Sequence, residues 1–234
     1  MKWNQEINLD EHNVWFTADL HLYHDNILWM NKRPFKNCDE MWEFFKADWI
    51  SKVKQEDYVF ILGDVLWGSQ ASRLANMANS LPGHICIVMG NHDKEKTGVN
   101  GKGSNFDVFE SCDRMDFIRV KSQKLGIDQL IFMSHYPTIS WPQKSRGSIM
   151  LHGHVHGSMD ELNEKSSDLR VDVGVDGKLA QMKLLSFNDI YEYMLHKTGD
   201  ISLQQYMQNV YNATEKTPIN AWIDLYFEKG KTIL

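Results

Sequence analysis

Three cysteines in 234 residues, Cys38, Cys86 and Cys112, are too few and too scattered for a disulfide framework or a thiolate zinc site, and an odd total excludes complete pairing. They read as packing residues kept reduced, as expected of a cytoplasmic chain in which no export signal is recognisable. Long apolar runs are also missing. The longest, Tyr58 to Leu62 and Ile85 to Met89, have five residues each, far short of a membrane span. Nor is there any surplus of positive charge: 31 acidic residues face 25 basic ones, a net charge of −6. That balance argues against a broad polyanion-binding surface, and so against a nucleic-acid or membrane partner. Repeats and low-complexity tracts are absent, and the sequence does not set an oligomeric state.

What is present suffices for a substantial core, with 42% hydrophobic and 12% aromatic residues. Val14 to Ala18, Tyr58 to Leu62, Ile85 to Met89 and Leu130 to Met133 read as short buried strands. Between them, Asp39 is expected to cap a helix running to about Val53 with Trp42, Phe45, Trp49 and Val53 on its core face, and Ser69 to Leu81 forms the next helix. Strand, helix, strand is the rhythm of an α/β sheet whose site gathers at strand C-terminal ends. Five motifs stand at just those ends: Asp19-Leu20-His21, Gly63-Asp64, Gly90-Asn91-His92-Asp93, His135, and Gly153-His154-Val155-His156.

Any one of these residues, alone, is commoner as a turn or surface residue than as a ligand. Together Asp19, His21, Asp64, Asn91, His135, His154 and His156 make seven oxygen and imidazole donors, too many for one four-coordinate ion. A shared carboxylate resolves the count: with Asp64 bridging, one ion takes Asp19, His21 and His156, and the other Asn91, His135 and His154. Two ions about 4 Å apart can clamp a phosphoryl group and activate a hydroxide for in-line attack. The thiolate-free donors suit Mn²⁺, Fe²⁺, Zn²⁺ or Ni²⁺, with manganese favoured in a cytoplasmic setting. Gly63, Gly90 and Gly153 each precede a ligand, where a side chain would crowd the ions.

The ordered set D-x-H, G-D, G-N-H-D, lone His and G-H-x-H resembles the calcineurin-like metallophosphoesterase superfamily, over about Val14 to Gly157. The resemblance implies an α/β fold, a two-sheet αββα sandwich, with Asp64 as the bridging ligand and His92 beside the leaving group, where it can donate a proton. Asp93 could fix the His92 tautomer or cap its loop. The segment from His21 to Phe35 is similar to small bacterial and phage members of that superfamily. His24 and Asn26 are expected to reach the pocket, and Arg33, with Arg146 as a second candidate, to grip the nonbridging oxygens. No tyrosine follows Asp64, so an iron-tyrosinate centre is not indicated.

Residues 94–105 read as a polar, glycine-rich loop beside the site. Residues 1–177 are expected to form the catalytic domain and 178–234 a helical extension packed on it, with helices near Asn188–His196, Ser202–Asn212 and Pro218–Glu228. The reading that follows is a dinuclear-metal phosphoesterase acting on a phosphomonoester or phosphodiester in a small nucleotide-like substrate. A protein phosphatase, a nuclease and a non-catalytic metal-binding scaffold are the alternatives.

Overall fold

Period-two alternation along three short strands decides the architecture. Val14, Phe16 and Ala18 share one buried cluster with Phe60, Leu62, Cys86 and Val88, whereas Val59, Ile61, Ile85 and Ile87 belong to a second. Successive side chains of a strand point to opposite faces, so these strands are covered on both sides, which is why they read as continuous apolar runs. The computed structural model describes residues 5–67, 71–93 and 106–213. The strands concerned are β2 (Val14–Thr17), β3 (Tyr58–Ile61) and β4 (His84–Val88), after an N-terminal β1 (Gln5–Asn8). They sit in a five-stranded sheet of order β10-β2-β3-β4-β5, with β5 at Ser111–Asp113 and β10 at Leu185–Ser186. A second sheet has the order β1-β6-β7-β8-β9, formed by β6 (Met115–Ser122), β7 (Ile127–Ser134), β8 (Ile149–His152) and β9 (Arg170–Asp172).

The first cluster fills the space between the sheets: Ile118, Val120, Ile131, Met133, Ile149, Leu151 and Val171 come from the second sheet to meet Phe16 and Phe60. The second cluster packs the other face of the first sheet against helices α2 (Cys38–Lys52) and α3 (Ala71–Asn79), with Met41, Phe45 and Trp49 of α2 all buried. The outer face of the second sheet is covered more thinly, by Trp141 over Phe117, Phe132 and Met150. The result is the two-sheet sandwich expected from the sequence.

Helix α2 starts earlier than the sequence reading placed it. Asn37, extended at φ −157°, accepts the Glu40 backbone N–H at 2.8 Å, so Asp39 lies inside the first turn, where its charge favours the helix dipole but does not cap. Past residue 177, beyond the short helix α4 (Asp160–Lys165), the chain is more than helical. β10 pairs antiparallel with β2, Leu185 opposite Phe16, and Ser186 then opens α5 (Phe187–Lys197) through a reciprocal capping box with Asp189. Helix α5 buries Phe187, Ile190 and Met194 in the inter-sheet core, and α6 (Leu203–Ala213) buries Leu203 and Met207 there. The helix expected over Pro218–Glu228 and the loop 94–105 lie outside the described residues.

Candidate metal centre

The motif loops are stitched to one another by main-chain bonds before any side chain is considered. Asp19 N–H donates to Gly63 O at 3.0 Å, His21 N–H to Asp64 O at 2.9 Å and Leu22 N–H to Val65 O at 2.9 Å, extending the β2–β3 pairing past the strands. Ala18 bridges Gly174 in parallel, which ties this end of the first sheet to the second, and Gly153 N–H donates to His135 O at 3.0 Å. The chain ends of β2, β3, β7 and β8 therefore converge at one place, as the motif order implied.

Two donor groups result. Asp19, His21 and His156 offer ligand atoms within 4.8 Å of one another, and so do Asp64, His135 and His154. Asn91, the seventh residue read as a donor, sets its Oδ1 3.0 Å from His135 Nε2, beside the second group. Asp64 stands between them: its Oδ2 is 3.6 Å from His21 Nε2 and 3.5 Å from His135 Nε2. The glycines fit this crowding. A Cβ on Gly63 would fall 2.4 Å from His135 Nδ1, one on Gly90 2.2 Å from Asp64 Oδ1, and one on Gly153 2.3 Å from Asp19 Oδ2.

The residues fit bound cations. Asp19 Oδ1 and both ring nitrogens of His21 are buried without a hydrogen-bond partner, an arrangement that leaves polar groups dry unless something binds them. Burial, with the Asp172 charge behind it, pushes the Asp19 carboxyl well above its ordinary value, and burial, with His156 next, drives the His21 imidazole down to about 2. A cation would satisfy the carboxylate and the neutral imidazole together. The backbone is held tightly too: Asp19, His21, Asp64, His154 and His156 all adopt left-handed φ between 48° and 71°. Such conformations are costly for residues with a Cβ and cluster at functional sites.

Several of the residues read as accessory are placed differently from expectation. Arg33 points inward. It is buried, its Nε and Nη2 grip Asp176 at 2.9 and 2.6 Å, Nη2 also reaches Asp19 O at 2.7 Å, and Nη1 reaches Leu20 O at 2.9 Å and Met41 Sδ at 3.4 Å. All five of its N–H groups are occupied, so none remains for a phosphoryl oxygen. Asp93 does not orient His92: its carboxylate accepts from the backbone of Asp64 at 2.7 Å, Val65 at 3.1 Å and Gly90 at 2.8 Å, clamping two ligand loops together. Asn26 is exposed and accepts from the Trp29 indole at 3.2 Å, turned to its own helix α1 (Asp25–Met30). Arg146 is exposed on a 3₁₀ turn, Lys144–Arg146, that packs beside α6. His24 does approach the centre, with its ring 5.8 Å from His21. Its Nδ1 caps α1 by accepting from Ile27 N–H at 3.1 Å, which leaves the Nε2 proton free.

Sequence reasoning missed Asp176 and Asn31. Asp176 Oδ2 lies 2.6 Å from His156 Nδ1, and Asn31 Nδ2 meets the same carboxylate at 3.0 Å and the same ring nitrogen at 2.7 Å. Burial alone would raise the Asp176 carboxyl, but hydrogen bonds from His156 and Arg33 and the guanidinium charge outweigh it and hold it at about 2. The signal was present in Val173-Gly174-Val175-Asp176-Gly177, an acid among glycines just past a buried strand, the same grammar as Gly63-Asp64.

Two packed sheets whose strand ends bring together adjoining Asp/His groups define an α/β sandwich with a candidate metal centre. Residues 12–173, well over half of the chain, match the family model for calcineurin-like phosphoesterases, and the protein belongs to that family. It is similar to the gene 66 protein of Mycobacterium phage L5, 27% identical over 201 residues that span 79% of this chain and 95% of the relative. An uncharacterized protein of Methanocaldococcus jannaschii, MJ1445, is 29% identical over 69% of this chain and 82% of its own length. Among solved structures, a protein of unknown function from Aquifex aeolicus covers 78% of this chain and 99% of its own, with a TM-score of 0.57 and 22% identity, a likeness of fold. No helix among the described residues is long and apolar enough to cross a membrane.

Proposed function

We propose that this protein is a dinuclear-metal phosphoesterase that hydrolyses a phosphomonoester or phosphodiester in a small, nucleotide-like substrate in the cytoplasm. The observation that carries the reading is Asp64, whose Oδ2 lies within 3.6 Å of a histidine from each donor group. A carboxylate so placed can serve both groups at once. Two divalent ions, manganese favoured by the cytoplasmic setting among those the donor set suits, would supply Lewis-acid polarisation of the phosphoryl oxygens and a water of lowered pKa.

The chain's own residues do the rest. Asp19, His21 and His156 would hold one ion, and Asn91, His135 and His154 the other. Asp64 Oδ1 accepts the His92 backbone N–H at 2.9 Å, which fixes the loop carrying His92 against the bridging ligand. The His92 ring keeps 35% of its side chain exposed, with Nε2 4.0 Å from Asp64 Oδ2, a position from which it can protonate a leaving oxygen without itself being a ligand. Asp93 and the glycines keep the loops close. In this reading residues 178–234 pack on the catalytic domain and carry no ligand.

The test is hydrolysis of p-nitrophenyl phosphate and bis(p-nitrophenyl) phosphate with added Mn²⁺ and with chelator, beside elemental analysis of the purified protein. Metal-dependent turnover and two ions per chain are expected. A chain that binds one ion or none, or that stays inert on both esters and on a nucleotide panel, overturns the reading.

A further inference from the structure

Two large aromatic side chains remain open to water beside the donor groups. Trp67 is 42% exposed and Tyr136 47% exposed. Tyr136 belongs to the second group, its ring edge-on to His154 at 4.6 Å. Trp67 belongs to the His92 side. Its indole lies 3.9 Å from the His24 ring and 4.6 Å from the His92 ring, centroid to centroid, and 6.4 Å from His21.

The indole is not left there by a loose loop. Leu66 forms a parallel bridge with Leu22, and Trp67 N–H donates to Leu22 O at 2.9 Å, a further rung of the ladder that joins the Asp19-His21 loop to the Gly63-Asp64 loop. A large apolar ring left 42% exposed forgoes part of the stabilisation that full burial would give it. What it gains is a flat face fixed next to the one imidazole placed to meet a leaving group. Arg33 is fully engaged elsewhere, and among the described residues the exposed aromatic face is what this side of the centre offers for recognition.

We propose that Trp67 is the specificity-determining residue on the leaving-group side, stacking against a planar ring carried there, so that the substrate class is an aryl or nucleobase-bearing phosphoester rather than an alkyl or sugar phosphate. The inference rests on the phosphoesterase reading for the role of the ring, yet it can be tested without turnover. Phenylphosphonate and propylphosphonate share a non-hydrolysable head group and differ in flatness. Titrated calorimetrically into the Mn²⁺-supplemented protein, the phenyl compound is expected to bind about tenfold more tightly, the scale of one ring stacked on an aromatic side chain. In Trp67→Ala that ratio should fall to within about twofold of unity, and Trp67→Phe, which keeps a ring and guards against a folding defect, should restore most of it. In turnover, KM for AMP should rise in Trp67→Ala about tenfold more than KM for ribose 5-phosphate, which has the same phosphate and no base. No preference in the wild type, a preference that survives Trp67→Ala, or one that collapses in Tyr136→Ala instead overturns the proposal. Loss of hydrolysis with the binding ratio intact would refute the catalytic reading and leave the stacking site standing.

Discussion

The two donor groups are built by different means. The group of Asp19, His21 and His156 is fixed by side chains: His156 Nδ1 meets Asp176, which is gripped by Arg33, which in turn holds the carbonyls of Asp19 and Leu20. The group of Asp64, His135 and His154 leans on the main chain, with His135 Nδ1 2.8 Å from Leu62 O and the backbone of Asp64 held by Asp93. Among the described residues, only the first group keeps buried ligand atoms without a hydrogen-bond partner, Asp19 Oδ1 and the two nitrogens of His21. A buried carboxylate–guanidinium support is strongly coupled and costly to break, because removing one partner leaves an uncompensated charge. The difference predicts that, with ions bound, the first group would be the tighter half and the second the more exchangeable one.

The largest expected effect breaks the first group's scaffold. Ending the chain after Gly177 removes β10, the edge strand on β2 that leads to Asp19, together with the buried Phe187, Ile190, Met194, Leu203 and Met207. At about 1.5–3 kcal/mol per buried side chain, against a total stability of roughly 5–15 kcal/mol, that loss should give an aggregating chain. A soluble, active truncation by size-exclusion chromatography would show the tail to be separable. Next, Asp64→Ala strikes both groups: activity should fall at least about 10³-fold, and bound metal should drop from two ions toward one or none. Two ions retained by elemental analysis would end the bridging assignment.

His92→Ala should leave both groups filled and cost about 10²–10⁴-fold in turnover, most for poor leaving groups and least for nitrophenyl esters. An equal loss across leaving groups would speak against proton donation. Finest of all is Asp176→Asn, which spares every ligand but unbalances Arg33 and His156. Chelator titration of the wild type should release metal in two phases, and this variant should weaken the tighter phase by about 10–100-fold, merging them. Tight-phase release unchanged in Asp176→Asn would erase the proposed difference between the groups.

How much of this was legible in the sequence follows the range of the interactions. The strands and the loop residues they deliver were readable because Tyr58–Leu62 or Ile85–Met89 followed by Gly-Asp or Gly-Asn is a local pattern set by sheet geometry. The close approach of Gly90 to Asp64 could be anticipated for the same reason. Arg33 could not be placed, since its partner Asp176 lies 143 residues away and only folding decides whether a guanidinium meets solvent or a buried acid. Asp93 shows a subtler failure: a carboxylate three residues after Gly90 turned back to bond the Gly90 N–H, a local loop bond that outcompeted the neighbouring imidazole. Asn37 replaced Asp39 as the helix cap because extended backbone at residue 37, not side-chain type, chose between two suitable acceptors. Trp67 gave no periodic signal at all.

The bridge from Ala18 to Gly174 also sets a timetable for biosynthesis. Asp19 Oδ2 accepts the His154 backbone N–H 135 residues downstream, and β2 gains its outer neighbour only when Leu185 and Ser186 arrive. At ribosomal rates of about 5–20 residues per second, the first motif must wait roughly 7 to 30 seconds for its partners. Throughout that interval the nascent chain can offer Asp64 beside Asp19 and His21 but not His156, so this half of the candidate centre stays incomplete until the G-H-x-H loop is made.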